Sequence, residues 1–380
     1  MLPQEGQFMK SADEGYYFKY ASLILKNGIT EFPSLIEWYT GNEEAQLHPN
    51  PSRVGYILFI ALSFKIFGIS FTSLAQVSFL SFFLFLVVSF YFSNKHFGKN
   101  TALIYTLFLS SSPLIMAMAR RALSDSCGNL FYALTIWLFF DFLTQNNKIK
   151  YSIFLLAYAL CIMVRESSLV LLPFFAGFFC LYKYAYKRKI SHLYLWGIML
   201  IPVSIVGICY LILFAGFKNM ALFIETLFGI HFGVQDSQYA ILFCGGPWYR
   251  YIVDYMVLEP LTMCLFIGYF IYILLIKKFD FKTMFFVIYF TIVFLIMGNL
   301  QYTKVLRLVI NLDMVINLFA VWAIYELFKQ KNKNYQNYFV FIFSMIIFIA
   351  NYLTFLDLFI CKEIYDPVSY WLLKARGFIP

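Results

Sequence analysis

Two carboxylates stand side by side at Asp13 and Glu14, in a polar head that precedes a strongly apolar chain. Such a pair close to a bilayer surface suits proton abstraction from an acceptor held at the interface. Other ionisable residues recur at the edges of apolar segments. Arg120, Arg121 and Asp125 share one short stretch, Arg165 and Glu166 interrupt a second, and Lys304, Arg307 and Asp313 gather at a third. His48 precedes Pro49-Asn50-Pro51, and the polar segment Lys218–Asp254 adds His231, Asp236, Trp248 and Arg250. Carboxylates mixed with cationic side chains suit a reaction between an anionic substrate and a group that must lose a proton. Arginine in particular matches phosphate geometry.

Plainer readings stand beside this one. Arg120 and Arg121 also suit headgroup contact at a helix end. Asp125 also suits an N-cap. Glu166 also reads as a neutraliser of Arg165, and Asp13-Glu14 as a solvated pair.

The elements that must position these residues are membrane helices. Of 380 residues 62% are hydrophobic and only 13% charged, against roughly 25% charged in soluble domains. The 47 Phe and 29 Tyr fit lipid-facing and interfacial positions. The net charge of +9 falls between apolar segments, so it orients the chain in a membrane and does not point to nucleic acid. The seven cysteines include no Cys-x-x-Cys pair, and no residues are assigned to a metal. Met1–Lys10 lacks the apolar core of a signal peptide.

With roughly 20 residues per crossing, the expected spans are Phe71–Phe92, Thr101–Met118, Cys127–Leu143, Tyr151–Val164, Ser168–Tyr182, Leu193–Phe217, Tyr255–Ile276, Thr283–Leu300, Leu308–Phe328 and Tyr338–Phe355. The result is an all-α polytopic bundle of about ten transmembrane helices. The short pieces on either side of Arg165-Glu166-Ser167 read as a tight hairpin or as one broken helix.

Five short connections are rich in lysine, with Asp280 their only carboxylate: Asn94–Asn100, Gln145–Lys150, Lys183–Ser191, Lys277–Lys282 and Lys329–Asn337. The positive-inside rule makes them cytoplasmic. The acidic head and the other polar stretches then face outward. This alternation requires Arg53–Gly68 to lie along the outer surface as a juxtamembrane helix. The expected organisation is an extracytoplasmic head (1–70), a transmembrane domain (71–357) with an outer loop at 218–254, and an extracytoplasmic tail (358–380). A head that starts outside leads to the expectation of a further helix upstream of Met1.

The text Asp13-Glu14-Gly15-Tyr16-Tyr17 through Lys26-Asn27-Gly28 resembles the first-loop motif of GT-C membrane glycosyltransferases, in the branch of protein O-mannosyltransferases and aminoarabinose transferases. His48-Pro49-Asn50-Pro51 leading to Phe67-Gly68 is similar to that branch's His-Pro-Pro segment and surface helix, with Asn50 inserted. Asn94–Lys99 matches its basic turn, Arg120–Asp125 resembles its second acidic motif, and Arg165-Glu166 stands where the family often has Lys-Glu or Lys-Gly. Gly246–Tyr249 and Lys304–Arg307 resemble later signatures.

The resemblance implies a GT-C-like bundle and a polyprenyl-phosphate sugar donor. The acceptor would be a lipid, glycan or protein outside a bacterial inner membrane. It implies catalytic roles for Asp13, Glu14 and Asp125, with Asp13 the general base. Arg165, Arg307, Lys304 and Arg121 would hold the donor phosphate. His48, Tyr17, His231 and Trp248 would touch acceptor or lipid. No cofactor is required, although a divalent metal is compatible with converging carboxylates and phosphate. The competing readings are a transporter or flippase of a lipid-linked or acidic solute, and a truncated inactive relative. A transporter calls for midplane charges and inverted repeats, whereas these charges gather at one face and no repeat is evident.

Overall fold

The computed structural model of the chain describes residues 3, 6, 8–10, 12–185, 187, 191–233, 244–275, 280–300, 304–329, 333–364, 370, 371, 374 and 375. The described elements are helical, and by packing they fall into two compact units: Met1–Phe83 with Met118–Asp236, and Leu84–Ala117 with Ser237–Pro380.

In the first unit, α1 (Asp13–Asn27) opens with both carboxylates and ends with Lys26 in its last turn, an arrangement that complements the helix dipole. Tyr17, Tyr20, Ala21 and Ile24 are spaced to form one face, and that face is buried. It packs against α4 (Val54–Phe67), the helix expected at Arg53–Gly68. At 14 residues, α4 reaches about 21 Å, short of a hydrocarbon core of about 30 Å. Between these two lie α2 (Phe32–Thr40) and α3 (Glu43–Gln46).

The long helix α5 (Phe71–Phe97) passes from the first unit into the second. It is followed by α6 (Lys99–Ser111) and α7 (Pro113–Arg120).

Back in the first unit, α8 (Ser124–Gln145) and α9 (Lys148–Val164) form a hairpin over the basic turn that the lysines mark. Asn146 takes the left-handed conformation that turns the chain (φ 48°), and Asn147 caps α9 by accepting from the Ile149 amide. After Val164 the chain breaks as expected. Arg165 is extended, Glu166–Val170 makes a 3₁₀ turn, and α10 (Leu171–Tyr184) follows. Two further helices, α11 (His192–Leu213) and α12 (Phe217–Gly233), complete the unit. The segment expected as an outer loop is therefore helical over its first part, and residues 234–243 lie outside the described residues.

The second unit contains α13 (Arg250–Leu258), α14 (Pro260–Leu275), α15 (Phe281–Asn299), α16 (Asp313–Leu327) and α17 (Lys333–Phe355). Its core is aromatic: Phe266 lies 4.7 Å from Phe290 and Phe319 lies 5.3 Å from Trp322, between ring centroids.

Among the described residues, seven helices are long and apolar enough to cross a membrane, and an eighth if α6 and α7 count as one bent span. The expectation of about ten differs at two places for identifiable reasons. The α9 helix has 17 residues. The stretch Tyr255–Ile276 is split at Glu259, whose successor Pro260 disfavours helical backbone at the preceding residue.

Candidate active site

The adjacent carboxylates Asp13 and Glu14 have opposite environments. Glu14 is 1% exposed. Its Oε2 accepts from the Met9 amide and from Arg121 Nη2, both at 2.7 Å, and its Oε1 accepts from the Ala122 amide at 3.0 Å. Glu14 thus ties the start of α1 to the segment between α7 and α8. The Gly that follows it is demanded by this geometry: a Cβ on Gly15 would sit 1.8 Å from the Lys10 carbonyl oxygen.

Asp13 is partly open to solvent, with its side chain 24% exposed. Its Oδ1 lies 3.4 Å from His48 Nδ1. The His48 ring stacks on Tyr16, with centroids 4.1 Å apart. The residues before Pro49 therefore meet the first turn of α1.

Behind this pair lies a buried charge network. Arg165 is 2% exposed, and its Nη1 lies 3.0 Å from Asp125 Oδ1. Its Nε has no hydrogen-bond partner. Gly128, one turn into α8, leaves the room: a Cβ there would lie 3.1 Å from Arg165 Cδ. Glu166 is held by Arg53, with Nε on Oε2 at 2.9 Å and Nη2 on Oε1 at 2.8 Å. The reading of Glu166 as a neutraliser of Arg165 is therefore corrected, because the two neighbours point to different partners.

Arg53 Nη1 donates to Ser124 Oγ and to the Tyr17 hydroxyl, which itself donates to Ser124 Oγ at 3.0 Å. Burial works against the charge of Arg53, but the facing Glu166 carboxylate and the Tyr17 phenol together outweigh it and hold the guanidinium protonated well above its ordinary range. Burial raises the Tyr17 phenol above its usual value, against the pull of Arg53, so Tyr17 acts as a neutral donor.

Of the residues singled out from sequence, Asp13, Glu14, Tyr17, His48, Arg121, Asp125 and Arg165 are brought together in the first unit. Arg53 was missed. Its signal is a charge set between a Pro-containing turn and an apolar helix, with no carboxylate close in sequence.

Lys304, Arg307 and Trp248 belong to the second unit. Lys304 is buried, donates from Nζ to the Gly246 carbonyl, and takes Cys244 as partner for its amide at 2.9 Å. Burial first, and Arg250 second, lower its ammonium below the ordinary lysine range. Arg307 is partly exposed in the 3₁₀ turn ahead of α16. Trp248 is 52% exposed, with its ring edge-on to Phe294. His231 lies in α12, and its side chain is outside the described residues. No group of three or more His, Cys, Asp or Glu converges as a metal site among the described residues.

In fold and in part of its sequence, the chain is similar to GT-C membrane glycosyltransferases. Residues 49–209 match the dolichyl-phosphate-mannose-protein mannosyltransferase family. The fold is that of ArnT from Cupriavidus metallidurans. The structure of ArnT bound to undecaprenyl phosphate aligns with a TM-score of 0.57 at 11% identity, over 84% of this chain and 64% of that one. The apo structure aligns with a TM-score of 0.51 at 12% identity, over 95% and 70%. An uncharacterized protein of Aquifex aeolicus is 25% identical over 190 residues, which are half of this chain and 36% of that protein. The chain thus spans about a third of that relative and under two thirds of the first ArnT chain.

Proposed function

We propose that the protein transfers a sugar from a polyprenyl-phosphate donor to an acceptor hydroxyl or amine on the outer side of the membrane. The observation that carries this reading is the division of labour around α1. Glu14 and Asp125 each face a guanidinium, while Asp13 stays partly exposed beside His48. ArnT, which shares the fold, has been seen with undecaprenyl phosphate, and that supports a lipid-phosphate donor here.

In this scheme the acceptor sits at Asp13, which removes its proton as the acceptor atom attacks the anomeric carbon. The bond from that carbon to the phosphate oxygen breaks, and polyprenyl phosphate leaves with the electron pair, in one inverting displacement. Arg165, with a buried Nε not used within the protein, stabilises the charge on the leaving phosphate. His48 orients Asp13. Glu14 and Arg121 fix the start of α1.

Release of undecaprenyl phosphate from undecaprenyl-phosphate sugars, by the purified protein with membrane lipid extract as acceptor source, tests this reading. Asp13→Asn should cut release by about 10²- to 10⁴-fold and leave undecaprenyl phosphate binding intact. Transfer close to wild type would move the base elsewhere and end this assignment.

A further inference from the structure

Two prolines interrupt the helices of the second unit. Pro113 follows Ser112 (φ −58°, ψ 119°) and bends the α6–α7 pair by 59°. Pro260 follows Glu259 (φ −135°, ψ 60°) and separates α13 from α14. A residue before proline is pushed out of the helical region. The two pre-proline side chains meet each other, and Ser112 also meets Asp313, the first residue of α16. Ser112 Oγ lies 2.6 Å from Glu259 Oε1 and 2.8 Å from Asp313 Oδ2. Glu259 is 1% exposed and Asp313 0%.

A serine hydroxyl carries one hydrogen. It can donate to only one of these carboxyl oxygens. The other, equally at hydrogen-bond distance, must then bring a hydrogen of its own. The remaining oxygens, Glu259 Oε2 and Asp313 Oδ1, have no hydrogen-bond partner. Among the described residues, no Lys, Arg or His lies within 4.0 Å of either carboxyl.

The titratable groups around them are phenols. Tyr255 of α13, Tyr105 of α6 and Tyr289 of α15 donate to the carbonyls of Val309, Met314 and Asn311. On α14, Thr262 accepts from Asn351 of α17. None of these brings a positive charge, and two ionised carboxylates buried this close together would repel without compensation.

We propose that Glu259 and Asp313 hold a single proton between them through Ser112, and that this proton fastens the α6–α7 bend, the α13–α14 break and the start of α16 to one another. The cluster is then a protonation-dependent lock in the second unit, separate from the residues assigned to sugar transfer.

The sign follows from linkage. Carboxyls in the unfolded chain lose their protons near pH 4. The folded pair keeps one. Folding therefore takes up a proton above that range, and stability falls as pH rises, until the folded pair itself ionises. Glu259→Gln or Asp313→Asn supplies a permanent amide hydrogen and removes the requirement.

Thermal unfolding of the purified full chain in detergent, from about pH 5 to about pH 8, tests the proposal. The midpoint of the wild type should fall with pH, and those of Glu259→Gln and Asp313→Asn should fall less. Infrared spectroscopy of the wild type at about neutral pH should show a protonated carboxyl band that either substitution removes. If one variant does not fold, the other variant and the wild-type band decide. Parallel pH profiles together with no such band would overturn the shared proton. So would a calcium- or magnesium-dependent rise in the wild-type midpoint that Glu259→Gln abolishes, since a cation would then take the proton's place.

Discussion

Arg165 pairs with Asp125 across a distance of 3.0 Å and not with Glu166, its neighbour in the chain. Extended backbone at Arg165, between the end of α9 and a 3₁₀ turn, sends the two side chains to separate partners. Glu166 goes to Arg53 at the start of α4. The polar break that looked like one self-neutralising dipeptide is therefore two ion pairs, one buried and one partly exposed, that join α4, α8 and α9.

Arg165→Ala should weaken binding of undecaprenyl phosphate, measured by titration of folded, purified protein. Arg165→Lys should recover part of it, because the charge survives while the planar two-pronged geometry does not. Asp125→Asn should lower stability by removing the partner of a buried charge, a loss of about 3–5 kcal/mol. Arg165→Ala that binds as the wild type does, with only a lower melting temperature, would restrict Arg165 to a structural role.

Glu14→Gln should lower the unfolding midpoint more than Asp13→Asn does. Glu14 accepts three hydrogen bonds in a buried setting, one of them from Arg121, and leaving Arg121 without its counter-charge costs about 3–5 kcal/mol. Gly15→Ala should be at least as disruptive, since its methyl group would overlap the Lys10 carbonyl. Equal midpoints for the Glu14 and Asp13 variants, followed by detergent-solubilised thermal melts, would contradict the asymmetry of the pair.

Lys148, exposed at the start of α9, and Lys19, exposed on α1, test the orientation. In intact cells, a membrane-impermeant thiol reagent should label Lys19→Cys and spare Lys148→Cys if the basic turns follow the positive-inside rule. Labelling in the reverse pattern would put the Asp13 site on the cytoplasmic side and remove an extracytoplasmic acceptor.

Much of the architecture is set by local chemistry, and local chemistry is legible in order along the chain. Apolar runs near 20 residues give the spanning helices, lysine-bearing turns give the α8–α9 hairpin, and the acidic start of α1 completes its dipole. Even the breaks are written locally, since Ser112-Pro113 and Glu259-Pro260 each force one residue out of the helix. The candidate site was visible as a set of residue types, and Asp13, Glu14, Asp125 and Arg165 all came from that set.

What the sequence leaves open is which charge meets which. Glu14 finds Arg121 across 107 positions, and Arg53 finds Glu166 across 113. Neither choice is encoded near either residue. Each depends on how α1, α4, α8 and α9 pack, and on close approaches such as Arg165 over Gly128. In a buried, low-dielectric setting an unpaired charge is expensive, so the packing that brings a partner within 3 Å decides the role. The tertiary structure alone turned adjacent carboxylates into one structural tie, Glu14, and one partly exposed group, Asp13. It also joined Glu259 to Asp313, because only the bends at two distant prolines bring those buried acids to the same serine.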